Sequence, residues 1–249
     1  MPELWLVETA DRFWQEAGGY TPKFEEAILF SLPLSIERLD ALSVHRAQTW
    51  LWQRGFALPG LNTVPNRRLR ACLVAHGSPC NFILLDKADP PAEQLFSLAH
   101  EISHFLLDYL RPRQKAERHL TASILEVLDG LRPPTLEERL HGLLEGVWIG
   151  QYEHFMERDS GGNILSRQIL QAEDRADRLA LELLAPEELV LPKVTAAITG
   201  KSSFTLRLEV AIGVLTDEFN LPFLAAKSYA AQLVKLAGGE TTFREWLNF

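Results

Sequence analysis

The chain has 249 residues, of which 47% are hydrophobic and 23% charged, and its net charge is −8. This composition predicts a globular protein whose core forms one large domain or two modest ones. The acidic balance argues against direct binding to nucleic acid, because phosphate contacts need clustered Lys and Arg side chains.

No features of an exported or membrane protein are visible in the sequence. No apolar run reaches the roughly 18 residues that a membrane span requires. The N-terminus lacks a basic stretch followed by an apolar one, so no signal peptide is expected. The two cysteines, Cys72 and Cys80, form no CxxC unit and are interpreted as reduced thiols. We therefore expect a cytoplasmic protein.

The first 54 residues have a helical pattern. Apolar residues at near-helical spacing in LWLVETADRFWQEA predict a helix that ends at GGY. The segment from Leu32 to Gly55 is interpreted as a second helix, with Ser35 as its N-cap and Gly55 as its stop. The stretch FALPGLNTVPNRR that follows is rich in Pro, Gly and Asn, and it predicts a linker or long loop.

Two short apolar runs, ACLVA and NFILL, flank HGSPC and predict a β-hairpin. A helix is expected from about Ala92 to about Leu110, where Arg111 and Pro112 end it. Two further helices are predicted between residues 113 and 158. A strong helix follows over about 166–185, and a pair of helices over 206–236 turns near Asn220.

The stretch FSLAHEISHFLLDY, residues 96–109, contains two histidines four residues apart. On a helix this spacing places His100 and His104 on one face, where both can bind one metal ion, and zinc is favoured. Glu101 lies about 100° further round the helix, which suits a base that takes a proton from water rather than a ligand. The alternative is an ordinary packed helix. Because the flanking residues are apolar on most sides, His and Glu side chains without a metal would be buried at a cost.

A third ligand is expected on the later helix, QAEDRADRLALELLAP. Glu173 and Asp177 share one face there, so Glu173 can complete the site while Asp177 accepts a hydrogen bond from a ligand histidine. Spacing alone leaves two alternatives open, a surface pair bridged to an arginine of the same helix and a ligand role for another acid. The arginines are Arg175 and Arg178, and the other acids are Asp174 and Glu182.

Together, FSLAHEISHFLL (96–107) and EDRADRLALELLAP (173–186) resemble the two motifs of the ImmA/IrrE family of metallo-endopeptidases, in the same order. Carried over by position, the resemblance implies His100, His104 and Glu173 as zinc ligands and Glu101 as general base. The expected fold class is α+β. It is a mainly helical, zincin-like metallopeptidase core with a small β-sheet beside the metal helix, plus N- and C-terminal helices.

Three segments are predicted on this basis. An N-terminal helical segment covers residues 1–65, and the metallopeptidase core covers 66–190. A C-terminal helical segment covers 191–249. The core holds a helical insertion at about 112–160, because the distance between the two motifs is longer than the resemblance leads one to expect.

The resemblance implies a zinc-dependent endopeptidase that cleaves a protein substrate, a helix-turn-helix transcriptional repressor, in stress or mobile-element regulation. One alternative is a non-catalytic, metal-containing sensor or interaction protein, but a structural zinc site has no use for a base such as Glu101. The other is a transcription regulator that acts through the C-terminal helices. Those helices contain only three basic residues, Arg207, Lys227 and Lys235.

Two further hypotheses concern the substrate. The hairpin offers an edge strand to an extended peptide, and Asn81–Leu84 is the segment assigned to that contact. A side chain is also needed to stabilise the oxyanion of the reaction. The candidates are His76, Tyr109, Tyr152 and His154.

Overall fold

The computed structural model describes residues 3–56, 65–75, 81–120, 122–145, 147 and 167–238. Helices dominate these ranges, and one three-stranded sheet completes the α+β fold that the sequence predicts. Within the same ranges, no helix combines the length and apolar composition that a membrane crossing needs.

The N-terminal part contains three helices and one strand. They are α1 (Leu4–Glu16), α2 (Phe24–Ser31), β1 (Ser35–Leu39) and α3 (Val44–Trp52). Aromatic rings join the first two helices, because Phe13 and Trp14 of α1 both contact Phe24 of α2, with ring centroids 5.7 and 5.8 Å apart. Such tilted aromatic contacts add to the hydrophobic burial that holds the helices together.

The predicted helix from Leu32 to Gly55 is wrong in its first half. Ser35 opens strand β1 rather than capping a helix, and the helix begins only at Val44. There, the side chain of Ser43 accepts a hydrogen bond from the backbone N–H of Arg46, the expected chemistry of an N-cap. Helix propensity is a weak preference, and the strand pairing of SIERL outweighs it.

The sheet has the order β1-β3-β2, with β2 at Ala71–Ala75 and β3 at Asn81–Asp86. β2 and β3 are antiparallel, as the hairpin prediction requires, and β1 runs parallel to β3 on its other side. The assignment of Asn81–Leu84 to an edge strand is therefore wrong. Because β1 occupies the second side of β3, the edge strands among the described residues are β1 and β2, and β2 is the edge strand of the hairpin.

A continuous helical rod follows the sheet. It consists of α4 (Pro91–His104), a π-helical segment (Phe105–Leu110) and α5 (Arg111–His119). The predicted stop at Arg111 and Pro112 is therefore wrong. Pro112 lies just after the π-helical segment, and the helical backbone continues through it.

The remaining elements are all helical. They are α6 (Ile124–Leu128), α7 (Leu136–Leu144), α8 (Arg167–Leu184), α9 (Glu187–Ile198), α10 (Phe204–Phe219) and α11 (Phe223–Leu236). The predicted long helix and the predicted C-terminal pair correspond to α8, α10 and α11. Asn220 makes the turn of that pair with a φ of 52°, a left-handed conformation that Asn tolerates.

The main core lies where α4 packs along α8 and against β2 and β3. Leu98 and Ile102 of α4 and Leu179 and Leu183 of α8 are almost fully buried there. This packing fixes the two helices that carry the predicted ligands. β1 belongs to the predicted N-terminal segment but pairs with β3, which belongs to the predicted core. The division into three segments stays a prediction.

Candidate metal centre

Helices α4 and α8 bring His100, His104 and Glu173 together. The Nε2 atoms of the two histidines are 3.1 Å apart. Glu173 approaches both, with one carboxylate oxygen 3.7 Å from Nε2 of His100 and the other 3.8 Å from Nε2 of His104. In the part of the chain that the structure describes, this is the one group of three or more His, Cys, Asp or Glu close enough to share a metal ion.

Each histidine is held from behind by a carboxylate. Nδ1 of His100 is 2.8 Å from Oδ1 of Asp177, and Nδ1 of His104 is 2.8 Å from Oδ2 of Asp108. Because a carboxylate accepts hydrogen bonds, both Nδ1 atoms carry the proton, and a neutral imidazole then has a lone pair on Nε2. The two Nε2 lone pairs therefore face each other beside the carboxylate of Glu173.

This arrangement fits a metal ion. Two lone pairs and an anionic carboxylate repel one another unless a cation lies between them. A tetrahedral zinc ion bound about 2.0–2.1 Å from each nitrogen would hold the two nitrogens about 3.3 Å apart, close to the separation in the structure. Two histidines and one carboxylate also form a common ligand set of catalytic zinc sites.

The electrostatics of the site favour a cation as well. Burial by itself lowers the pKa of His100, but the hydrogen bond to Asp177 and the charges of Glu101 and Glu173 outweigh it, so that the pKa is raised. The surroundings thus stabilise positive charge at this point more strongly than burial disfavours it.

Glu101 lies beside the three-residue group rather than in it. Its Oε2 accepts a hydrogen bond of 2.9 Å from the backbone N–H of Leu73 in β2. Leu73 belongs to the edge strand, so the carboxylate is anchored between α4 and the free edge of the sheet. The position agrees with the role of a base next to the metal, although that role stays a prediction.

Asp108 was not among the predicted site residues. Besides His104, it holds Nη2 of Arg175 at 3.1 Å, and only 9% of its side chain is exposed. It follows His104 by four residues, a spacing that could have revealed it, but it lies beyond the two-histidine motif. Asp177 plays the corresponding part for His100, and 57% of its side chain is exposed.

The geometry of α8 supports neither a surface ion pair within the helix nor a ligand role for another of its acids. Arg175 pairs with Asp108 of the π-helical segment, and Arg178 pairs with Glu3, so neither forms the proposed surface bridge within α8. Of the competing acids, Asp174 is exposed, and Glu182 is buried elsewhere with its Oε2 3.3 Å from the backbone N–H of Glu187. Neither Asp174 nor Glu182 joins the group.

Of the residues considered for stabilising the oxyanion, Tyr109 is the one that the structure describes. Tyr109 is buried in the main core and stacks on Phe105, which gives it a packing role. Cys72 is a free, buried thiol whose pKa is raised to about 12 by burial and by the charge of Glu101. The other three candidates for stabilising the oxyanion lie outside the described ranges, and so does the second cysteine: His76, Tyr152, His154 and Cys80.

Comparison with known proteins gives one match. Residues 67–126 match the family model Peptidase_M78, described as the IrrE N-terminal-like domain. This range contains β2, β3, α4 and the π-helical segment, and hence both histidines, Glu101 and Asp108, whereas α8 lies beyond it. No curated protein and no solved structure matches the chain. The predicted resemblance to the ImmA/IrrE family is thereby confirmed.

Proposed function

We propose that the chain is a zinc-dependent endopeptidase of the ImmA/IrrE family. The premise is the match of residues 67–126 to the IrrE N-terminal-like domain. The observation that carries the proposal is the convergence of His100, His104 and Glu173 with Glu101 beside them. A purely structural metal site would need no such carboxylate next to its ligands.

His100, His104 and Glu173 are the residues that would hold the metal. When bound, a zinc ion supplies Lewis-acid chemistry: it lowers the pKa of water and polarises a carbonyl. Asp177 and Asp108 keep the protons of the two imidazoles on Nδ1, so that each Nε2 presents its lone pair.

Glu101 is assigned the proton transfers. It takes a proton from the attacking water and passes it to the nitrogen that leaves when the peptide bond breaks, a contribution of about 10²–10⁴-fold in rate. The N–H of Leu73 fixes one oxygen of this carboxylate, which restricts the directions in which the other oxygen can point.

The free edge of β2 is the proposed docking place for the peptide. The backbone N–H of Asp86 donates to the carbonyl of Arg70, so alternate residues of β2 bond to β3. The groups of Ala71, Leu73 and Ala75 therefore point away from β3. An extended peptide can pair with them, and this edge is where Glu101 is anchored.

The substrate and setting are carried over from the family resemblance. We assign to the enzyme limited cleavage of a helix-turn-helix transcriptional repressor in the cytoplasm, in stress or mobile-element regulation. Comparing intact proteomes of cells that contain the wild type or Glu101→Gln identifies the target, because a cleaved repressor accumulates only with the wild type.

Two variants separate catalysis from metal binding. We expect Glu101→Gln to retain zinc, measured by metal analysis of the purified protein, while cleavage of the identified target falls by at least about 10²-fold. His100→Ala should lose both zinc and cleavage. Glu93→Gln, the same change near the start of α4, is the matched control and should keep both. Full cleavage by Glu101→Gln would remove that residue from the mechanism, and zinc retained without cleavage of any protein would favour a sensor.

A further inference from the structure

A cavity lies on the side of α8 that faces away from the metal centre. Nine residues separate Glu173 from Glu182, which corresponds to about 900° of helix and so to opposite faces. The cavity, of about 500 Å³, is lined by α1, the turn after it, Glu182 of α8 and the start of α9. Its size is typical of sites for small molecules.

A buried carboxylate forms part of the wall. Glu182 is only 7% exposed, and Asp11, Glu187 and Glu188 also line the cavity. None of the lining residues, all of which the structure describes, is basic. Burying a carboxylate without a cation is costly, and neighbouring acids increase the cost. Burial and the charges of those acids accordingly raise the pKa of Glu182 to about 7.

Another part of the lining is aromatic and apolar. The rings of Trp14 and Tyr20 meet nearly edge to face, with centroids 5.0 Å apart, and Val7 and Leu189 extend the apolar surface. The hydroxyl of Tyr20 donates to the carbonyl of Leu184 at 2.9 Å, which holds its ring in place. Aromatic faces attract organic cations.

Trp14 also has an unmet polar group. It is 7% exposed, and its buried Nε1–H has no hydrogen-bond partner among the atoms that the structure describes. Because this N–H is buried, Trp14 presents its ring rather than its polar group to the cavity.

We propose that this cavity binds a small organic ammonium ion, with the charged nitrogen at Glu182 and the apolar body against Trp14 and Leu189. The carboxylate supplies the charge that the ammonium needs, and the aromatic wall suits a weakly hydrated organic cation. A metal ion is disfavoured, because among the described residues the acids that line the cavity do not form a group close enough to share one. The site does not depend on the peptidase activity.

Tyramine and tyrosol test the proposal, because they differ only in an ammonium group and a hydroxyl group. Their binding to the full chain is measured by titration calorimetry at pH 8, where Glu182 is mostly ionised. We expect tyramine to bind at least tenfold more tightly than tyrosol. Equal binding of the two compounds would overturn the proposal.

Two variants and a control locate the site. Glu182→Gln should abolish the preference for tyramine, while its side-chain oxygen can still accept the hydrogen bond from Glu187. Val7→Trp, at a partly exposed position, should fill the cavity and abolish binding of both compounds. Glu209→Gln makes the same charge change at an exposed position of α10 and should bind like the wild type. A preference that survives in Glu182→Gln, or binding that survives in a folded Val7→Trp, would place the ligand elsewhere.

Discussion

Two aspartates behind the histidines differ in their surroundings, and the difference has consequences for metal affinity. Asp108 is almost buried and also pairs with Arg175, whereas more than half of the Asp177 side chain is exposed. A hydrogen bond shielded from water orients its partner more strongly than an exposed one. The two residues therefore should not be equivalent.

We expect Asp108→Asn to lower zinc affinity about 10–100-fold, because the amide loses the charge that favours the Nδ1–H form of His104. Asp177→Asn should cost less. Zinc affinity is measured by competition with a chelating dye, and Asp174→Asn, at an exposed position of α8, is the control without effect. A larger loss for Asp177→Asn than for Asp108→Asn would contradict this ranking.

Glu182 should make stability depend on pH. Its pKa rises from 4.5 to about 7 on folding, so between these values the folded protein keeps a proton that the unfolded chain has released. The free energy of unfolding therefore falls as the pH rises through this window and levels off above it. The charged groups facing Glu182 are Asp11, Glu187 and Glu188, and Tyr229 of α11 is also close.

Glu182→Gln should abolish this contribution and be more stable than the wild type at pH 8, by on the order of 2 kcal/mol. Urea unfolding at pH 5 and pH 8 measures the effect, and Glu209→Gln is again the charge-matched control. A variant that is less stable than the wild type at both pH values would show that the carboxylate is not a destabilising group.

Single residues were largely predictable where they belong to a repeating pattern. The four-residue spacings of His100 with His104 and of Glu173 with Asp177 indicated side chains on common faces, and the structure brings all four together. Asp108 and the cavity around Glu182 could not be inferred in the same way. Their partners come from other elements, and only the packing of those elements determines which side chains come into contact.

At the scale of elements, the edge strand β2 offers a test of peptide docking. Ala75→Pro removes a backbone N–H that points away from β3, so the sheet keeps its hydrogen bonds. We expect kcat/KM for the identified substrate to fall about tenfold, the cost of roughly one lost hydrogen bond. The thermal midpoint should change little.

Val74→Pro is the comparison for this experiment, since its N–H points toward β3 and its loss should destabilise the sheet. Thermal unfolding followed by circular dichroism distinguishes the two variants. Unchanged cleavage by a folded Ala75→Pro would separate β2 from substrate binding.

Two elements differ from the prediction, each for its own reason. SIERL suits a helix as well as a strand, and only pairing with the central strand decides between them. Pro112 predicts a stop, because proline breaks the interior of a regular helix. A π-helical segment ends just before it, and a change in hydrogen-bond spacing of that kind leaves little trace in a sequence.

For the whole molecule, the metal should act as a link between distant parts of the chain. Its ligands lie on α4 and α8, whose packing forms the main core. A ligand that binds only the folded state stabilises it by about 2.7 kcal/mol at a free concentration 100 times its dissociation constant. Zinc should therefore raise the thermal midpoint of chelator-treated protein.

Differential scanning fluorimetry measures this shift. His100→Ala should show none, and Glu101→Gln, whose carboxylate lies outside the ligand group, should show the shift of the wild type. An equal shift in His100→Ala would mean that zinc binds at another place. Fold class was predictable at this scale because apolar periodicity alone marks most of the helices.

The hydrogen bond between Leu73 and Glu101 has one more consequence. A backbone N–H has a single proton, and an extended chain that pairs with β2 at Leu73 must compete for it with the glutamate. In the absence of such a chain, the base is engaged by the enzyme's own main chain. A partner strand that pairs with Ala71 and Ala75 and leaves this N–H to the glutamate would dock without disturbing the base, so the shared proton would set where along β2 a chain can pair.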